Sequence, residues 1–138
     1  MDAIATPSGS RETGKRALLV EPNLDTQNMC RTILERSGFL VDAVASGLQA
    51  VVCARTKHPD LILVDQQLPD GPCYQAIGWL RSNPSLRSIP IVVLNGSASD
   101  ASVSETSRVA VIPRPLSTQS LERAIQRASD FNECCGPH

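Results

Sequence analysis

The stretch LILVDQQLPDG, residues 61–71, decides the fold. Four apolar residues run without alternation into Asp65, and a pair of glutamines, a leucine and the turn-forming Pro-Asp-Gly follow. A short unbroken apolar run that stops at turn residues reads as a strand buried on both faces. Such a strand belongs to a parallel sheet, and here it delivers a carboxylate at its carboxyl end.

The same kind of run recurs before and after it. ALLVE (17–21), FLVDAV (39–44), DLILVD (60–65), PIVVLN (90–95) and VAVI (109–112) make five strand candidates. Segments of helical period lie between them. Met29, Cys30, Ile33 and Leu34 share one face of a helix over residues 25–37 that Gly38 closes. Ser46 with Gln49 three residues on is a capping-box signature, and Leu48, Val51 and Val52 are the apolar residues of the helix that follows. Pro72 suits the first turn of a helix whose face is Cys73, Ala76, Ile77 and Leu80, and Asn83-Pro84 breaks it. Leu121, Ala124, Ile125 and Ala128 fall at i, i+3, i+4 and i+7 and give the clearest amphipathic pattern. Strands alternating with helices predict a doubly wound α/β domain with a five-stranded parallel sheet; if its order is 2-1-3-4-5, the first and third strands are central neighbours.

Bulk properties narrow the function classes. A chain of 138 residues is one domain's worth, and a formal net charge of −1 without a basic stripe argues against direct nucleic-acid binding. No apolar run approaches the roughly 18 residues a membrane span needs. The polar opening MDAIATPSGSRETGKR lacks the apolar middle of a signal peptide, so a cytoplasmic protein without membrane contact is expected. Five cysteines and two histidines show no metal-ligand spacing. Cys30, Cys53 and Cys73 sit inside apolar patterns as free thiols, and Cys134 and Cys135 are vicinal near the end.

One apparent motif is a decoy. GSRETGKR (9–16) nearly matches the phosphate-binding pattern G-x-x-x-x-G-K-[ST], but Arg16 replaces the hydroxyl residue and the segment precedes a strand instead of following one. The better place for chemistry is the carboxyl edge of the sheet, where open α/β sheets bind ligands. Strand one ends at Glu21, strand three at Asp65 and strand four at Asn95, and Arg114 follows strand five. The expected strand order brings two carboxylates, an amide and a guanidinium around one crevice.

Taken together, LLVE, LILVDQQLPDG, PIVVLN and PRPLS, in that order and spacing, resemble the receiver domain of two-component response regulators over roughly residues 16–127. The resemblance implies the flavodoxin-like receiver fold and a phosphoacceptor at Asp65, modified by a sensor histidine kinase or phosphotransfer protein. It also implies Mg²⁺ held by Glu21, Asp65 and the Gln67 carbonyl, with Asn95 and Arg114 on the phosphoryl group. A downstream protein partner, and as an open possibility a homodimer, belong to the same expectation. So does a domain layout of a disordered N-terminal tail (1–15), a receiver domain (16–130) and a C-terminal tail (131–138).

Several supporting positions depart from the family pattern. Pro22 stands where a second acidic metal ligand is expected, which implies a weakened Mg²⁺ site. Asn95 replaces a hydroxyl residue, Arg114 replaces a lysine, and Val111 stands at an aromatic position. Between Asn95 and Arg114 the chain is serine-rich and about three residues short, nearly one helical turn, so the fourth helix is expected to be short or disordered. Two functions follow. One is a working receiver that accepts a phosphoryl group on Asp65 and is no enzyme beyond its own modification. The other is a pseudo-receiver, a phosphorylation-independent interaction module. Asp70 is read as shaping its own turn, Tyr74 and Trp79 as packing residues, and His58 as a surface residue.

Overall fold

A computed structural model describes residues 15–96, 109–113 and 117–135. Five strands form one parallel sheet: β1 (Arg16–Val20), β2 (Leu40–Val44), β3 (Leu61–Asp65), β6 (Ile91–Gly96) and β7 (Val109–Pro113). Two short strands, β4 (Gln67–Leu68) and β5 (Gly71–Pro72), make a separate antiparallel hairpin directly after β3. The sheet order is β2-β1-β3-β6-β7, the expected doubly wound order once the hairpin is set aside. The helices are α1 (Leu24–Arg36), α2 (Gly47–Lys57), α3 (Cys73–Arg81) and α4 (Thr118–Cys135), with a short 3-10 turn at Pro84–Leu86.

Both faces of the sheet are covered, and strand side chains alternate between them. Leu18, Val20, Ile62, Val64, Ile91 and Val93 pack under α2 and α3 with Ala50, Ala54, Ala76 and Leu80. Ala17, Leu19, Leu61, Leu63, Val92 and Leu94 pack under α1 and α4 with Cys30, Ile33, Leu34, Leu121 and Ile125. Burial on both sides is why β1 and β3 need unbroken apolar runs.

Local chemistry sets the helix ends. Asn23 caps α1, its side chain accepting from the Thr26 N–H at 3.0 Å, and Asp25 in the first turn suits the positive end of the helix dipole. Gly38, at φ +97°, turns the chain out of α1 into β2. Ser46 caps α2 through the Gln49 N–H at 3.2 Å, and the Gln49 side chain returns to the Ala45 N–H at 3.0 Å. His58 ends α2 in the left-handed region, at φ 50°, and is exposed.

Four expectations need correction. The buried face of α2 is Gly47, Ala50 and Ala54, whereas Leu48 and Val52 are 61% and 56% exposed. Close approach of α2 to α3 selects small residues, since a Cβ at Gly47 would lie 3.3 Å from the Ala76 Cβ. Tyr74 and Trp79 are exposed on α3, whose buried face is already filled by Cys73, Ala76, Ile77 and Leu80. Residues 131–135 continue α4 instead of starting a tail, for no Gly or Pro interrupts the helix before Gly136. Pro72 belongs to the hairpin after β3 and precedes α3 instead of standing in its first turn. Residues 1–14 of the expected N-terminal tail (1–15), and the segment 97–108 where the short fourth helix is expected, lie outside the described residues. Among the described residues no helix is long and apolar enough to cross a membrane.

Candidate functional site

Parallel register builds the site. Val20 pairs with Val64 across β1 and β3, so the residues that follow them, Glu21 and Asp65, reach the carboxyl edge of the sheet side by side. On the other side of β3, Asp65 pairs with Leu94 of β6, which places the main chain of Asn95 one residue beyond. Pairing of β6 with β7 shifts register between Leu94 and Gly96, so the main chain at Asn95 sits at an irregularity of the ladder. Arg114 follows the last residue of β7, Pro113, and itself lies outside the described residues, so the geometry of the expected cation is not part of the site described.

Glu21 is only 2% exposed, the one buried charged residue among the described residues. Its main chain is anchored on both sides. The N–H donates to the Val44 carbonyl at 3.0 Å, and the carbonyl accepts from the Gln27 side-chain amide at 3.0 Å. Its Oε2 accepts from the Asn23 N–H at 3.1 Å, while the buried Oε1 has no hydrogen-bond partner. Burial pushes the Glu21 carboxyl up to about 7, and the charge of Asp65 and a side-chain contact with it push the same way against the Asn23 N–H. A carboxylate with a naked buried oxygen beside a second carboxylate wants a proton or a cation between them.

Asp65 is half-buried, and its Oδ2 accepts from the Gln67 N–H at 3.2 Å. Gln67 belongs to the hairpin, opposite Pro72. The Cys73 N–H donates to the Gln66 carbonyl at 2.9 Å, which makes Gln67–Pro72 a non-hydrogen-bonded pair. In such a pair both main-chain groups of Gln67 point away from Pro72. The N–H goes to Asp65, and the carbonyl leaves on the same side. Glu21 and Asp65 thus follow paired residues on adjacent strands, and the Gln67 main chain meets the Asp65 carboxylate through its N–H. Pro22 is exposed and supplies no carboxylate, and among the described residues no group of three His, Cys, Asp or Glu side chains is placed to hold a metal. The expected donors, two carboxylates and a carbonyl, are all oxygen, the ligand chemistry that Mg²⁺ takes.

Asp70 is the residue whose role the sequence does not disclose. Its carboxylate accepts from the N–H groups of Gly47 and Leu48, at 2.9 and 3.0 Å, so it caps the start of a different helix. These hydrogen bonds hold its carboxyl below the ordinary aspartate range. A contact spanning 22 and 23 residues leaves no periodicity to read, and the only local hint is the glycine that opens α2.

Comparison with known proteins agrees with this fold. The family model described as the response regulator receiver domain matches residues 17–126. The polar-differentiation response regulator DivK of Brucella ovis is 37% identical over 84 residues, 61% of this chain and 68% of that protein. Its counterpart in Brucella anthropi is 34% identical over the same length. Among solved structures, the receiver domain of a sensor histidine kinase from Pseudomonas aeruginosa, with a magnesium ion coordinated in its active-site cleft, is 29% identical. It superposes with a TM-score of 0.67 over 82% of this chain and 95% of that one. A chemotaxis response regulator of Vibrio cholerae, 20% identical, shares the fold with a TM-score of 0.73 over 83% of this chain and 98% of its own.

Proposed function

The chain belongs to the response regulator receiver domain family, and from that premise we propose that it accepts a phosphoryl group on Asp65 from a histidine kinase or phosphotransfer protein. The observation that carries the reading is the pairing of Asp65 with a buried Glu21 whose Oε1 has no donor, at the carboxyl edge of the sheet. An acidic pocket of this kind is costly unless a cation fills it. Glu21, Asp65 and the Gln67 carbonyl would hold Mg²⁺, which when bound neutralises charge on the transferring oxygens.

The protein's own groups do the rest. The Gln67 N–H fixes the rotation of the Asp65 carboxylate. An Asp65 oxygen attacks the phosphorus, the bond from phosphorus to the donor's imidazole nitrogen breaks, and that nitrogen takes up a proton from solvent. The product is an aspartyl phosphate. Asn95, at the ladder irregularity beside Asp65, supplies an amide donor to the phosphoryl oxygens, and Arg114, next after β7, supplies a cation able to grip them bidentately. The protein catalyses its own modification and no other reaction, and it works in the cytoplasm with a downstream protein as its output. The Mg²⁺ site is weaker than one with a third carboxylate, since Pro22 gives neither an acidic group nor an N–H.

Intact-mass spectrometry after incubation with acetyl phosphate tests this. A single phosphoryl adduct that needs both Mg²⁺ and Asp65 is expected. No adduct in any condition would instead favour the phosphorylation-independent interaction module.

A further inference from the structure

We propose that Asp70 is a positioning residue for the phosphoacceptor loop: it clamps the β4–β5 hairpin to the first turn of α2 and so fixes where Gln67 stands beside Asp65. The inference rests on the reading of Asp65 as phosphoacceptor. Asp70 Oδ1 accepts from the Gly47 N–H at 2.9 Å and Oδ2 from the Leu48 N–H at 3.0 Å. Both amides are among the orphan donors that every helix start leaves behind. Ser46, the residue preceding α2, serves a third, that of Gln49. The hairpin thus completes a cap that the local sequence leaves open.

Two glycines make the clamp possible. A side chain at Gly47 would put its Cβ 3.4 Å from Asp70 Oδ1 and 3.3 Å from the Ala76 Cβ, a tight fit that the bare backbone avoids. Gly71, at φ +130°, lets the chain turn out of the clamp straight into β5. A two-residue ribbon has no stability of its own. Leu68, packed into the core, and the Cys73 N–H bonded to the Gln66 carbonyl hold its base. Pro69 and Asp70 form the exposed tip, and the Asp70 carboxylate ties that tip to α2. Gln67 lies beside the base and carries both the N–H that orients Asp65 and the carbonyl offered to Mg²⁺. Releasing the tip lets the hairpin swing and blurs the position of both groups.

The test compares the full chain with Asp70→Ala, Asp70→Asn and Ser46→Ala. Ser46→Ala uncaps the same helix without touching the hairpin, so it carries the purely structural effect. Three quantities are read: Mg²⁺ affinity by titration, the rate of adduct formation with acetyl phosphate, and amide hydrogen exchange at Gln67. Asp70→Ala is expected to lower affinity and rate on the order of tenfold, the size typical of losing a support behind a metal ligand, and to speed Gln67 exchange. Ser46→Ala is expected to leave all three within about twofold, and Asp70→Asn, which keeps one acceptor oxygen, to fall between. Equal behaviour of Asp70→Ala and Ser46→Ala overturns the proposal. Should the wild type take up neither Mg²⁺ nor a phosphoryl group, the reading of Asp65 fails. The clamp is still decided by exchange at Gln67, faster in Asp70→Ala than in Ser46→Ala if it exists and equal if it does not.

Discussion

Glu21, at the end of β1, stands beside Asp65, at the end of β3, and keeps a carboxylate oxygen buried without a hydrogen-bond partner. Burial and the neighbouring charge of Asp65 together make the charge on Glu21 costly.

Stability of the metal-free protein therefore depends on pH in a defined direction. Folded Glu21 keeps its proton to about 7, whereas an unburied carboxyl loses it near 4.5. Between those values the folded state binds more protons than the unfolded, so stability falls as pH rises and stays at its lower level above pH 7. The full effect is about 3 kcal/mol at most. Glu21→Gln removes it, and in chelator at pH 8 the variant should be the more stable by about 2 kcal/mol, with little difference at pH 4.5. Urea unfolding midpoints across this range check the claim, and parallel pH profiles for the two proteins would refute it.

Asp65→Asn acts on the same pair from the other side. It removes the acceptor, so the phosphoryl adduct should vanish from the mass spectrum. It also removes the charge beside Glu21, so the pH at which stability falls should move down. A variant that loses the adduct but keeps the wild-type pH profile would place the two carboxylates too far apart to interact.

Much of this arrangement is legible in the sequence, for physical reasons. Strands buried on both faces must be continuously apolar, so β1, β3 and β6 announce themselves, and the polar residue that stops each run marks the sheet edge where ligands bind. Glu21 and Asp65 are found that way. What the sequence hides depends on contacts between distant segments. The burial of Ala50 and Ala54 in place of Leu48 and Val52 follows from how closely α2 meets α3, which no hydrophobic count contains. Asp70 reads as a turn residue because the amides it caps lie more than twenty residues away.

That exchange of faces on α2 can be tested by stability. Leu63, fully buried in the central strand, should cost about 2–5 kcal/mol when changed to Ala. Leu48→Ala, at an exposed site, should stay within about 0.5 kcal/mol of wild type. Similar losses at the two positions would return Leu48 to the core.

Thiol reactivity should separate the cysteines. Burial, with the charges of Glu21 and Asp65 adding to it, pushes the Cys30 thiol up to about 12. Cys53 is half-buried and raised chiefly by the same desolvation. Only the thiolate attacks a disulfide reagent, so in native protein at pH 8 Cys53 should be labelled well before Cys30. Peptide mapping after timed labelling gives the order, and early modification of Cys30 would show that the core under α1 opens.

The proposed effect of Pro22 on the metal site can be tested directly. It is exposed and follows Glu21 directly, at the place where a third carboxylate would join those of Glu21 and Asp65. Pro22→Asp should tighten Mg²⁺ binding on the order of tenfold, about 1.4 kcal/mol, by adding one charged ligand. Freeing the backbone of the unfolded chain costs about 0.4–1 kcal/mol, so the metal-free variant should be slightly less stable while the Mg²⁺-bound form gains. Thermal unfolding with and without Mg²⁺ separates the two effects. Gain without loss would mean that Pro22 contributes no rigidity. Loss without gain would mean that residue 22 points away from the crevice, so that Glu21, Asp65 and the Gln67 carbonyl must hold the ion with water alone.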